Sequence, residues 1–500
     1  MSSRPQVVIV GSGPVGSAYA REILDTLPSA RVVMLEAGPL LTDPPGLHVG
    51  NVPDPDDRVT ARRRAQGDEA GMHRVDASFI ERAGALTPGA PPHLVERSGM
   101  TPIDRRIASA PDDVGLPAAG ETIAVGGMGV LWTASCPRPR GSERPAVVPP
   151  DEFDACLGRA EELLQVDETF NAASPANTCV REALARVFDP ETPDAPVRPL
   201  PMAARLTGGV ISWSGTDVVL GDAVSSGGFE LRPDTVAREV LIDAGRVTGV
   251  RAFDRVRDVE VVVPADAVVV AANAFRSPQL LFASGIRSVA LGRYLNDHIH
   301  MMAAVRVRGD AIPELPVGGT WVPFVEGVRP FHGQILQMGV SPAQIDARGF
   351  GAAGPNDVLS MSWYARKEIH AEDRVEFDPL DLDGFGLPRM SIHYRITDTD
   401  REQIARLSAT MVRAAAALGD MLHPEPLLMP WGNSAHYHGT TRMGADPADS
   451  VVDAHGQVWG IDGLFVGGNN VIATSTTCNS TLHAVALAIG GARRLVEMSS

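Results

Sequence analysis

The pattern of apolar and polar positions is clearest at the start of the chain. Gln6–Val10 is a short apolar run that ends in Gly11-Ser-Gly13-Pro-Val-Gly16, residues up to about Leu27 then carry helical spacing, and Val32–Leu35 is apolar again. Strand, glycine turn, helix, strand is the order a parallel β-α-β unit requires, because the crossover helix must cover the sheet and return the chain to its starting edge. From 42 to 120 the periodicity fades among recurrent Pro and Gly, with Arg62-Arg63-Arg64 and several acids clustered. Long excursions of this kind in a compact chain are usually functional, so residues 55–100 are read as a mobile cover over an entrance. Helical spacing resumes over 151–188 (Phe153, Leu157, Ala160, Leu163, Leu164). Val240–Ile242, Val247–Phe253 and Val259–Val263 then read as strands joined by tight turns, Ala267–Ala271 as a buried central strand and Ser277–Ser284 as a helix. Residues 300–400 alternate apolar and polar as an antiparallel sheet does, and Thr399–Leu418 is an amphipathic helix. The tail returns to α/β style, with Leu464–Val466, the turn Gly467-Gly468-Asn469-Asn470 and a small-residue helix from about Thr481.

Length and composition narrow the class without naming a chemistry. Five hundred residues, at about 150 per domain, imply three domains or two large ones. The 50 glycines and 40 prolines enrich the chain in turns but stay below the roughly 25–30% that marks low-complexity disorder. A net charge of −17 repels nucleic-acid phosphates and acidic membrane faces, so neither is an expected partner. Four cysteines with no C-x-x-C pair argue against a disulfide framework and a structural metal. With no apolar run of membrane length and no apolar leader after Met1, a cytoplasmic protein is expected.

A lone G-x-G-x-x-G is weak evidence in a chain with this much glycine, but here it follows a strand and opens a helix. Gly11 then makes the tight turn, Gly13 admits a pyrophosphate, and Gly16 allows close helix packing, with Ser12 between them. Glu36, at the end of the second strand, is placed for a ribose diol and against a 2′-phosphate. That motif alone leaves FAD and NAD open. Gly126-Gly127-Met128-Gly129 offers further backbone amides, and Gly467-Gly468-Asn469-Asn470 a further anion-binding helix start. Such segments far apart in sequence suit a long, extended cofactor, which favours FAD.

Several segments, running from end to end of the chain, carry a resemblance to the glucose-methanol-choline (GMC) FAD oxidoreductases. They are the 11–16 turn with Leu35-Glu-Ala-Gly38, Val125-Gly-Gly-Met128, Ala271-Ala-Asn-Ala-Phe-Arg-Ser-Pro-Gln-Leu-Leu281, Leu295-Asn-Asp-His298, His436-Tyr-His-Gly-Thr-Thr-Arg-Met-Gly444 and Cys478-Asn-Ser-Thr-Leu482. Within the family, the chain looks most like pyranose oxidase and bacterial glycoside 3-oxidase-like enzymes. The resemblance implies a Rossmann-like FAD-binding α/β domain (1–45, 100–150, 210–300 and 430–500). It also implies an interleaved α+β substrate domain and lid with an antiparallel sheet (46–99, 151–209 and 301–429). It further implies cofactor contacts at Gly127, Met128, Trp132, Thr133, Val236, Ala272, Gly468, Asn469 and Thr481. Leu131 stands where fungal pyranose oxidases carry the histidine bonded to flavin, so a non-covalent FAD is expected.

His436 and His438 lie at i and i+2, and the residues alone do not separate them. The family's base stands three residues before the glycine of its Gly-Thr pair, here Gly439, which selects His436 and leaves His438 as the alternative. A neutral imidazole suits acceptance of a hydroxyl proton near neutral pH. Asn479 is the expected partner that hydrogen-bonds the substrate oxygen. The implied reaction is oxidation of a secondary ring hydroxyl, at C2 or C3 of a pyranose or glycoside, with O2 or another acceptor reoxidising the flavin. His298-Ile-His300 and His436-Tyr-His438 lack a third ligand in register, so no metal is expected. A GMC enzyme for a non-sugar alcohol and a non-catalytic flavin-binding protein are the alternatives.

Overall fold

The computed structural model describes residues 4–65, 101–103, 105–106, 113–307, 318–336 and 358–499. The chain opens with β1 (Gln6–Val10), α1 (Pro14–Thr26) and β2 (Arg31–Leu35), and continues after a long excursion with α2 (Pro150–Leu164). Then follow β3 (Phe229–Arg232), β4 (Thr235–Asp243), β5 (Arg246–Asp254), β6 (Val259–Pro264), β7 (Ala267–Val270) and α3 (Asn273–Ala283). The rest of the chain includes β8 (Ile299–Val307), β9 (Gly319–Val322), β10 (Phe331–Leu336), β11 (Val358–Ala365), α4 (Asp398–Leu418), β12 (Leu464–Val466) and α5 (Thr481–Ser499).

Two sheets organise the molecule. The first is parallel, in the order β12-β7-β1-β2-β3, with Val8 opposite both Val33 and Val268. Its inner strands are unbroken apolar runs because both faces are covered, and Val8, Ile9, Val33, Val268 and Val269 are all fully buried. Gly11 ends β1 at φ +103°, where an added Cβ would lie 2.4 Å from the Ala271 carbonyl oxygen. Only glycine turns the chain there. The helices α1, α2 and α5 share this core with the antiparallel layer β4-β5-β6.

The second sheet is antiparallel and has seven strands, including β8-β11-β10-β9. Its alternation divides its residues between two surroundings. Met301, Val305, Ile335, Leu359, Met361 and Trp363 point into a core closed by Leu407, Met411, Ala414 and Ala415 of α4. His300, Met302, Gln334, Leu336, Ser360, Ser362 and Tyr364 point the other way, into a cavity. Cross-strand register sets His300 and His332 opposite Tyr364, and Met302 and Gln334 opposite Ser362. The α4 helix begins with a capping box, in which Thr397 accepts from the Asp400 amide and Asp400 from the Thr397 amide.

Two local expectations need correction. The segment after Val270 is helical from Asn273, not Ser277, although Pro278 stands inside it. Asn273 Oδ1 caps the amides of Phe275 and Arg276. The Ala274 carbonyl, which Pro278 cannot serve, accepts instead from Thr440 Oγ1 at 2.6 Å. The turn at 467–470 starts no helix: Asn469–Val471 is a single 3-10 turn. The Asn470 and Val471 carbonyls are taken by the Thr441 and Met443 amides. Of the segment read as a cover, Pro55–Ala65 is a helix and 66–100 lie outside the described residues. Among those described, no helix is long and apolar enough to cross a membrane.

Candidate active site

The C-terminal ends of the parallel strands and the polar face of the antiparallel sheet enclose a cavity of about 990 Å³. That is ample for an extended dinucleotide and a small substrate. Its lining includes Gly11, Ser12, Gly13, Glu36 and Val236 as well as His436 and Asn479. Gly127, Met128, Leu131, Trp132, Thr133, Ala272, Gly468, Asn469 and Thr481 line it too. Gly16 lies off the cavity, where a Cβ would come within 2.0 Å of the Gly11 carbonyl oxygen, so it serves the packing of α1 on the turn.

The glycine turns are pinned to one another. Glu36 Oε2 accepts from Ser12 N (3.1 Å) and Ser12 Oγ (2.7 Å), and Glu36 Oε1 from Gly38 N (2.9 Å). Ser12 Oγ in turn accepts from Gly126 N at 2.9 Å. Burial raises the Glu36 pKa, and the hydrogen bonds from Ser12, Gly38 and Ala37 oppose the rise. Most of the carboxylate's roughly four acceptor positions are thus taken by donors of the protein itself. A second adjustment concerns 126–129. The Gly127 and Gly129 amides bond the Ala124 and Gly126 carbonyls, so this segment shapes the cavity more than it donates to it. A dinucleotide fits the arrangement. A Cβ at Gly13 would meet nothing within 4 Å, and one at Gly127 would sit 3.3 Å from Gly13 Cα. Two side-chain-free turns thus face the same open space.

Buried charge ties the cofactor end to the second sheet's half of the molecule. Arg276 pairs with Glu121 at 2.5 Å and with Asp383 at 2.6 Å, and Gln279 donates to Asp383 at 2.9 Å. Burial alone would lower the Arg276 pKa, but Glu121 and Asp383 outweigh it and raise it. Glu121, Asn273 and Arg276 also line the cavity.

The two candidate histidines are separated by backbone geometry. His438 pairs with Asn296 in an antiparallel bridge, its amide donating to the Asn296 carbonyl at 2.8 Å. Gly439 follows at φ +85°, where a Cβ would strike the Tyr294 carbonyl at 2.1 Å. The His438 ring is fully buried, and neither nitrogen has a hydrogen-bond partner among the described residues. Burial, then His298 and His483, hold its pKa well below the usual histidine range. His436, two residues earlier, lines the cavity, with its amide donating to Ser434 Oγ at 3.0 Å and Ser434 donating to Asp297. The His298 ring lies 4.9 Å from that of His436. His298 Nδ1 donates to the Thr476 carbonyl at 2.7 Å, and burial pushes its pKa down to about 4.

Asn479 stands just before α5 and is held from two directions. Behind it, Glu143 Oε1 accepts from Thr477 N (2.6 Å), Thr477 Oγ1 (2.7 Å) and Cys478 N (3.3 Å). Beside it, its amide meets that of Gln334, which lies 2.8 Å from His332 Nε2. Sequence reasoning missed Glu143, Gln334 and Arg276 as site residues. Only the third lay in a recognised motif.

Two family models described as GMC oxidoreductase match residues 142–300 and 371–488, which together span more than half of the chain. The chain belongs to the GMC oxidoreductase family. Among its GMC relatives, a C-glycoside 3-oxidase from Microbacterium trichothecenolyticum is 42% identical, with 98% of this chain and 96% of the relative covered. A pyranose 2-oxidase from Tricholoma matsutake is 29% identical over 98% and 93%. The crystal structure of pyridoxine 4-oxidase from Mesorbium loti superposes with a TM-score of 0.64 at 19% identity, covering 98% of this chain and 99% of that one. It shares the GMC fold.

Proposed function

We propose that this GMC enzyme oxidises a secondary ring hydroxyl of a sugar glycoside, at C3, to the ketone. The observation that carries the reading is that His436 and Asn479 line one cavity together with His300, Ser362 and Tyr364 of the polar sheet face. Hydroxyl and imidazole groups spread over a flat sheet suit a polyhydroxylated ring. The likeness to a C-glycoside 3-oxidase over nearly the whole chain supports both the substrate class and the carbon.

Gly11, Ser12, Gly13 and Glu36 would hold the diphosphate and ribose of FAD, with Val236 beside the adenine. Gly127, Met128, Trp132, Thr133, Ala272, Gly468, Asn469 and Thr481 would line its flavin half. When bound, the flavin supplies a hydride acceptor that O2 or another oxidant restores. Leu131, an alkyl side chain, forms no bond to it, so the cofactor is held non-covalently. His436 accepts the hydroxyl proton on a ring nitrogen as the carbon is oxidised. Asn479 positions the sugar by hydrogen bonding. His438 stays outside the chemistry, because its ring is fully buried and is not part of the cavity lining.

The test is an anaerobic panel of C-glycosides, O-glycosides, free pyranoses and simple alcohols, read as loss of the oxidised flavin absorbance. NMR of the product locates the new carbonyl. Bleaching by a glycoside with a 3-keto product is the expected result. Bleaching only by non-sugar alcohols would overturn it.

A further inference from the structure

A row of buried side chains runs from the antiparallel sheet to Asn479. Trp321 and His332 are 3% and 0% exposed, and Trp321 Nε1 donates to His332 Nδ1 at 2.8 Å. An indole nitrogen only donates, so Nδ1 is the bare nitrogen of that ring and the proton sits on Nε2. Burial first, and His298 second, push the His332 pKa down to about 3. The ring is therefore neutral, and a second proton would set N–H against N–H at Trp321.

His332 Nε2 lies 2.8 Å from the terminal amide of Gln334, and the same end of that amide meets the amide of Asn479. The two ends of a primary amide are isosteric, and the surrounding donors and acceptors decide which way it faces. Placing nitrogen at the shared end would oppose it to the His332 Nε2–H. The shared end is accordingly Gln334 Oε1, and Gln334 Nε2 turns to Ser135 Oγ, 3.5 Å from the other end of the amide. An oxygen at the shared end asks Asn479 for a donor, which is its Nδ2. Asn479 Oδ1 is then the end left to the cavity that Asn479 lines.

We propose that Trp321, His332 and Gln334 are positioning residues that fix the Asn479 amide with its carbonyl oxygen toward the substrate. This rests on the reading of the cavity as a sugar site. The reacting hydroxyl has a single hydrogen, which goes to His436, so an acceptor at Asn479 takes the hydrogen of a different hydroxyl. In a pyranose that is the hydroxyl on the adjacent ring carbon. The site therefore selects a vicinal diol, and Asn479 is where the second hydroxyl is read.

Three measurements test the proposal, and the first needs no activity. Long-range proton–nitrogen NMR of the holoenzyme labelled in its histidine nitrogens, with the His332 signals assigned by their loss in His332→Phe, should show the Nε2–H tautomer. The Nδ1–H tautomer overturns the relay whatever the substrate proves to be. Second, Gln334→Glu still accepts from both His332 and Asn479, whereas Gln334→Leu accepts from neither. Above the carboxyl pKa, Gln334→Glu should keep kcat/KM within about 10-fold of the native enzyme, with Gln334→Leu at least about 10-fold lower still. Equal losses in the two overturn the assigned polarity. Third, a glycoside deoxygenated beside the reacting carbon should lose at least about 10-fold in kcat/KM with the native enzyme, and the gap should shrink in Asn479→Ala. An unchanged gap overturns the contact to the second hydroxyl. If no sugar reacts with the native enzyme, the substrate reading fails while the NMR result stands on its own.

Discussion

His436 and His438 are two residues apart, and the structure assigns them opposite consequences on substitution. Loss of a positioned general base costs about 10²–10⁴-fold, roughly 3–5 kcal/mol of barrier, so His436→Ala should slow flavin reduction by that factor while FAD still binds. His438 differs in both respects. Its ring is fully buried and carries two nitrogens without a hydrogen-bond partner among the described residues. Each unsatisfied buried polar group costs about 1–3 kcal/mol, and a leucine of similar volume removes that cost, with a shape mismatch worth less than about 1.5 kcal/mol. His438→Leu should therefore unfold at the native temperature or above, and retain flavin reduction within about 10-fold. Anaerobic stopped-flow reduction at saturating glycoside gives the rates, and the temperature at which flavin fluorescence is released gives stability. A crippled His438→Leu beside a near-native His436→Ala would refute both the burial argument and the register of the motif.

Three further outcomes are expected. Heating or acid precipitation should release all flavin into the supernatant, because Leu131 offers no bonding atom; flavin in the washed pellet would contradict this. Glu143→Ala orphans the buried donors of Thr477 and Cys478, so it should cost at least about 2 kcal/mol of stability and lower kcat as the Asn479 segment loosens. A variant native in both would show that the carboxylate holds nothing. The third concerns acid. His298, His332, His438 and His483 have folded pKa values below their unfolded value, the first to about 4 and His332 and His483 to about 3. The unfolded chain then binds more protons, and the stability that is whole above about pH 6.5 is lost as pH falls toward 4, by about 1 kcal/mol per pH unit for each histidine. Unfolding midpoints between pH 8 and 5 should fall steeply, and less steeply in His483→Phe; an unchanged slope in that variant would contradict the assignment.

What the sequence disclosed and what it withheld follow one physical division. The turn at 11–16, the strand at Ala267–Val270 and the alternation of 300–400 are local, since a few consecutive residues carry the whole signal. His436 and Asn479 are legible only through contiguous motifs that resemble a family. Glu143, Gln334, His332 and Trp321 each have a partner between 11 and 334 residues away, or are parts of alternating strands that look like any other sheet. The extent of α3 was hidden for a similar reason. Pro278 is a stop signal by itself, and only a hydroxyl from Thr440 makes the helix tolerable. The turn at 467–470 errs in the opposite direction, since its residues suit a helix start but their carbonyls are occupied by the 441–443 segment.

The division of labour within the antiparallel sheet has a practical consequence for redesign. Its cavity positions form a small grid, with His300 and Met302 on one strand, Ser360, Ser362 and Tyr364 on the next, and Gln334 and Leu336 on the third. The intervening residues belong to the core. Leu336 packs against the cluster of Phe170, Met202 and Trp321, whereas Met302 and Ser360 can be exchanged with less effect on the packing behind them, and none of the grid belongs to the strand–turn unit that would hold the dinucleotide. Altered substrate range is therefore reachable through combinatorial libraries at Met302 and Ser360, which spare the Gln334 row and leave cofactor affinity as an unchanged internal control.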